Sequence, residues 1–142
     1  MTTTITRYHD FSAGHRVVGH EGKCRNLHGH NYRVHFEVAP DVGGTLDSVG
    51  RVVDFSVVKT RLCQWLEDSW DHRMLLWHED PAFQQLLRLD TTVVALYFNP
   101  TAENMARHLL KEVGPQQLKG TGVRLVAVMV EETRKCSARY AL

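Results

Sequence analysis

Little in this chain would tie it to nucleic acid or to a membrane. Its 17 Lys and Arg nearly balance 16 Asp and Glu over 142 residues, so the basic excess that captures a polyanion is missing and no nucleic-acid partner is expected. No apolar run approaches the ~20 residues of a membrane span, and the start, MTTTITRYHD, lacks the basic and apolar regions of a secretory leader; a cytoplasmic protein without membrane contact is expected. Cysteine is sparse. Cys24, Cys63 and Cys136 are odd in number and form no CxxC pair, which argues against a disulfide framework and for free thiols in a reducing compartment. Repeats and low-complexity tracts are also missing. A hydrophobic content of 43% is too high for disorder and fits one globular domain over residues 1–142.

What is there reads as strands and helices in a fixed order. Tyr32, Val34, Phe36 and Val38 alternate with polar residues, the period of a half-buried strand, and the β-branched and aromatic stretch from Thr3 to Phe11 is its expected partner. Between Asp54 and Trp70, apolar residues at Val58, Leu62, Leu66 and Trp70 recur at helical steps behind an N-cap at Asp54 or Ser56. A second helix is expected from Thr101, with Met105, Ala106, Leu109 and Leu110 on one face and Gly114-Pro115 as its stop. Val123 to Glu132 and Ser137 to Leu142 read as two further strands. The order is β-β-α-α-β-β, which predicts an α+β fold with an antiparallel four-stranded sheet, two helices and open edges suited to oligomerisation.

Nine histidines are the unusual feature, and five of them lie between positions 9 and 30. In extended backbone, His28 and His30 project to one face across Gly29, and pairing of the first two strands would bring His15 to the same end of the sheet. Three neutral imidazoles leave the fourth tetrahedral position of a zinc ion open for water or substrate, as catalytic sites require. His9, His20, His35, His78 and His108 are expected to be solvated or satisfied by hydrogen bonds.

The blocks Phe11-Ser12-Ala13-Gly14-His15 and Cys24-Arg25-Asn26-Leu27-His28-Gly29-His30 are followed by Val53-Asp54-Phe55, Asp71-His72, Pro100-Thr101-Ala102-Glu103-Asn104 and Glu132-Thr133. Together they resemble the 6-pyruvoyltetrahydropterin and 6-carboxytetrahydropterin synthase family, in that family's order and over nearly the whole chain. The resemblance implies the tunnelling fold (T-fold), assembled through sheet edges into a barrel, commonly a hexamer of two trimers. Gly14 stands where the family usually has alanine, and the role of residues 74–98 is open.

The resemblance also implies zinc on His15, His28 and His30, Cys24, Asp71 and His72 as the catalytic group, and Glu132 against the pterin's N–H edge. Thr101 is a weaker candidate for pterin contact, because N-capping alone explains it. Lys23 and Arg25 flank Cys24, an environment that favours a thiolate base. Strand alternation places Glu131 on the opposite, exposed side from Glu132. Three residues between Cys24 and His28 are similar to the carboxytetrahydropterin enzymes of queuosine synthesis. These convert 7,8-dihydroneopterin triphosphate to 6-carboxy-5,6,7,8-tetrahydropterin, acetaldehyde and triphosphate. Two alternatives stay open: a 6-pyruvoyltetrahydropterin synthase, which eliminates triphosphate only, and a non-catalytic protein that binds zinc and pterin.

Overall fold

The computed structural model describes residues 2–142. Strands β1 (Ile5–His15) and β2 (His28–Pro40) pair antiparallel along their whole shared length, from Ile5 opposite Val38 to His15 opposite His28. The first strand therefore runs four residues beyond Phe11, and those four carry His15 into the sheet. Helix α1 spans 55–69 with a π turn at Lys59–Cys63, and the Asp54 side chain caps it by accepting from the Ser56 N–H at 2.8 Å. After it come β3 (Arg73–Trp77), helix α2 (Phe83–Leu89) and β4 (Val94–Leu96). Helix α3 spans 102–117, and strands β5 (Val123–Thr133) and β6 (Cys136–Ala141) close the chain.

The sheet has six strands in the order β4-β3-β1-β2-β5-β6, so the expectation of a four-stranded antiparallel sheet is corrected. β3 lies parallel to β1 and β4 parallel to β3, which makes the sheet mixed, in an α+β arrangement. The extra strands are five and three residues long, and their ladders join segments some sixty and twenty residues apart. Such pairing leaves no local signature in sequence.

The two helices expected from periodicity cover one face. Val58, Leu62 and Leu66 from α1, Trp70 at its C-cap, and Met105, Ala106, Leu109 and Val113 from α3 bury against Phe11, Tyr32, Val34, Phe36 and Val128 of the sheet. Gly114-Pro115 does not stop α3. A π turn at Leu109–Val113 leads into the glycine, and one further turn continues through Gln117. The wider turn loosens the i→i−4 ladder where the proline nitrogen has no hydrogen to give. Gly114 serves close packing: a Cβ there would lie 2.8 Å from Leu125 Cδ2.

In β5 an extra residue, Val126, interrupts the pairing between Glu37 opposite Ala127 and Val38 opposite Leu125. The bulge takes Val126 off the core face, so Val123 and Leu125 share that face with Val128 and Val130.

Candidate metal and substrate site

The β1–β2 register assembles the histidines. His15 pairs with His28, and His30 stands opposite Ala13 on the same core face, giving ring centroids 4.6, 5.0 and 4.9 Å apart around the trio. One nitrogen from each ring falls within 4.8 Å of the other two. His15 is buried, and that burial pushes its pKa down to about 4, so the ring is neutral at physiological pH. Burial lowers His30 as well.

Backbone carbonyls fix the tautomers. A carbonyl only accepts, so the nitrogens that face Pro100 O and Asn26 O at 2.7 Å, Nδ1 of His15 and Nδ1 of His28, carry their protons. Nε2 of His15 and Nε2 of His28 then face each other at 3.1 Å, an arrangement that a cation between them would satisfy. His30 Nε2 is buried and has no hydrogen-bond partner among the described residues. Three ring nitrogens converge, and the other nitrogens of His15 and His28 are held by backbone carbonyls, the pattern by which metal-ligating histidines are oriented. The donor set fits a metal ion.

Cys24 lies in a one-turn 3-10 helix, Lys23–Arg25, in the loop between the two strands, half-buried; its carbonyl accepts from the Val17 N–H at 2.8 Å. Glu132, near the end of β5, approaches His30 Nε2 to 4.0 Å and lines a 420 Å³ cleft with Ala102, Glu103, Cys136, Ser137 and Arg139. Thr101 caps α3 by accepting from the Asn104 N–H at 3.1 Å. Glu131 points to the other face but is not free in solvent. It meets His35 Nε2 at 2.5 Å and accepts from Arg134 at 3.3 Å.

Asp71 and His72 form the expected pair, 2.7 Å between Asp71 Oδ2 and His72 Nδ1, and Asp71 Oδ1 accepts from the Ser12 N–H at 3.0 Å. Burial works to raise the Asp71 carboxyl, yet the Ser12 N–H and His72 hold it below the usual carboxylate range. His72 is held at φ +59°, and its N–H donates to Ser12 O at 2.7 Å. His72 lines a 660 Å³ cleft with Ser12, Gly14, Gly29 and Asn31, and the same cleft takes in His28 and His30 of the trio. Gly14 is tight there, since a Cβ would meet Met74 Cε at 2.6 Å. The remaining histidines have ordinary partners: His9 with Glu67, His20 with the Gly22 N–H, and His78 with Leu96 O, while His108 stacks on Trp70.

Sequence reasoning missed Pro100 O and Asn26 O as supports of His15 and His28. Main-chain acceptors carry no residue-type signal.

One buried and two half-buried imidazoles, set on paired strands of an α+β sheet, define a class of proteins whose sheet carries a cluster able to hold a metal ion. The fold is shared at TM-score 0.71 with 6-pyruvoyl tetrahydropterin synthase of Caenorhabditis elegans, 26% identical, covering 100% of this chain and 96% of that one. An uncharacterized protein of Wolinella succinogenes has the same fold at TM-score 0.85, with 24% identity over 99% of this chain and 98% of that one. The family model for 6-pyruvoyl tetrahydropterin synthase matches residues 4–142. The 6-carboxy-5,6,7,8-tetrahydropterin synthase of Rickettsia felis is 35% identical over 92% of this chain and 94% of its own. The chain belongs to the 6-pyruvoyl tetrahydropterin synthase family, and with it to the lyases.

Proposed function

We propose that this protein converts 7,8-dihydroneopterin triphosphate to 6-carboxy-5,6,7,8-tetrahydropterin, with release of acetaldehyde and triphosphate, on zinc held by His15, His28 and His30. The observation that carries the reading is the pair of facing Nε2 lone pairs, 3.1 Å apart, beside the unpartnered His30 Nε2. Nitrogens on a tetrahedral zinc lie about 3.3 Å apart, from Zn–N bonds of about 2.0–2.1 Å. When bound, the ion supplies Lewis acidity to the oxygens of the substrate side chain.

The chain's own groups do the rest. Cys24 accepts protons from the substrate as general base, in a loop tied to the end of β1 through the Val17 N–H. Glu132 receives the N–H edge of the pterin, with Thr101 at the start of α3 as a further contact. Asp71 holds the His72 imidazole for proton transfer. The pair is assigned to the site of a neighbouring chain in a homo-oligomer, a hexamer of two trimers joined through sheet edges. The carboxytetrahydropterin product places the protein in queuosine synthesis in the cytoplasm.

Incubating metal-loaded protein with 7,8-dihydroneopterin triphosphate tests the reading. Acetaldehyde formed together with 6-carboxytetrahydropterin supports it. Triphosphate released without acetaldehyde replaces it with the pyruvoyl reaction, the reading favoured by the matched family's own name. Bound pterin without turnover leaves a binding protein.

A further inference from the structure

We propose that Asn99 is a positioning residue for the reaction: its side-chain amide clasps the main chain of Val18 and so fixes the loop that carries Cys24 against the turn that orients His15. That role rests on the reading above, in which Cys24 is the base beside a metal on the three histidines. It deepens that reading, since neither the ligand set nor the catalytic group includes Asn99.

The clasp runs in both directions. The Val18 N–H donates to Asn99 Oδ1 at 3.0 Å, and Asn99 Nδ2 donates to Val18 O at 2.8 Å. Closing such a ring on the peptide groups of one residue takes a donor and an acceptor side by side, and the asparagine amide carries both on a short arm. An aspartate would set a second acceptor against Val18 O, and an alanine offers neither group.

On one side of the clasp, the Asn99 backbone shapes the support of His15. Its carbonyl accepts from the Thr101 N–H at 2.8 Å and from Asn104 Nδ2 at 3.0 Å. The chain turns there at Pro100, whose carbonyl faces His15 Nδ1 at 2.7 Å. On the other side, the Val17 N–H donates to Cys24 O at 2.8 Å, and Val17 O accepts from the His20 N–H at 3.2 Å. Among the described residues, the remaining hydrogen bonds of 17–27 stay inside the loop or end on His28. Beyond Arg16, Asn99 is therefore the one hydrogen-bonded hold that joins this loop to another part of the chain.

Cys24 lies within electrostatic reach of the site. Burial, Glu132 and Cys24 all raise the pKa of the Tyr32 phenol, and the Tyr32 ring meets those of His15 and His30 edgewise at 5.8 and 5.4 Å. A proton acceptor must be held closely to work, since a misplacement of about 1 Å costs a reaction about 100-fold.

Steady-state kinetics of metal-loaded wild type and Asn99→Ala with 7,8-dihydroneopterin triphosphate, together with metal analysis and thermal unfolding, test the assignment. Asn99→Ala keeps the backbone that supports His15, so metal stays bound. The freed loop misplaces Cys24, and kcat falls about 10- to 100-fold while KM stays within about twofold. Hydrogen exchange within residues 17–24 quickens in the same variant. Asn99→Asp, which keeps the size and the acceptor for the Val18 N–H but has no donor for Val18 O, loses kcat in the same way. Wild-type kcat in either folded variant overturns the role alone, even where the unfolding temperature falls, because the amide then serves stability only. Lost metal or a raised KM in place of a lowered kcat overturns it as well, since the fault would then lie in the metal or pterin contacts. Wild type that does not turn over the pterin triphosphate overturns the functional reading and the role with it.

Discussion

Asp80 is the strongest electrostatic tie between the β3–β4 excursion and the histidine strand. Its side chain is fully buried and accepts from Arg16 Nε at 2.7 Å, from Arg16 Nη2, and from the Ala82 N–H at 2.8 Å. Arg16 directly follows His15. In Asp80→Asn the amide cannot balance the guanidinium. Breaking a buried ion pair costs about 3–5 kcal/mol, and because the Arg16 side chain keeps 25% exposure water recovers part of it, so we expect a loss of about 2–3 kcal/mol. For a chain of this size that lowers the unfolding temperature by roughly 6–9 °C.

The pH dependence has a definite sign. Arg16 holds the Asp80 carboxyl below its ordinary value, against burial. A carboxyl depressed in the folded state contributes its full stability above the unfolded value of about 3.9 and loses it as pH falls through the folded value. Urea unfolding of metal-free wild type and Asp80→Asn should therefore show the full gap at pH 7, narrowing below about pH 4. Equal midpoints at pH 7, or a gap that widens in acid, would refute the reasoning.

Cys24→Ala is expected to lose turnover by at least about a hundredfold with metal content unchanged; metal lost in step with activity would make the cysteine a ligand instead. Glu132→Gln should raise KM for the pterin substrate while leaving metal bound, whereas Glu131→Gln, which touches His35 and Arg134 on the opposite face, should leave KM unchanged. Steady-state kinetics with metal analysis separate these, and equal effects on KM would contradict the face assignment. Gly114→Ala should destabilise the protein by about 1–3 kcal/mol in denaturant unfolding, because its Cβ would come within 2.8 Å of Leu125. An unchanged midpoint would show that α3 can move away from β5.

The parts of this molecule that repeat a short period are legible in its sequence. The alternation from Tyr32 to Val38, the helical spacing from Val58 to Trp70 and the Thr101 cap each predict the element found there. The His15, His28 and His30 convergence follows from one antiparallel register and is equally readable. Parallel pairing of Ala13 with Arg73 and of Leu75 with Val94 is not, because it depends on contacts between distant segments. Gly114-Pro115 reads as a stop signal until tertiary packing against Leu125 outweighs it. Alternation along β5 misleads at Val126 because a bulge changes the count. Asp71 and His72 are adjacent as expected, but which face of the sheet they serve depends on the turn that ends α1.

The central claim, that His15, His28 and His30 form the protein's metal centre, is tested most directly by elemental analysis of purified wild type and of a His28→Ala/His30→Ala double variant. One zinc per wild-type chain and essentially none in the folded double variant is the expected result. Stoichiometric zinc that persists in the double variant would contradict it.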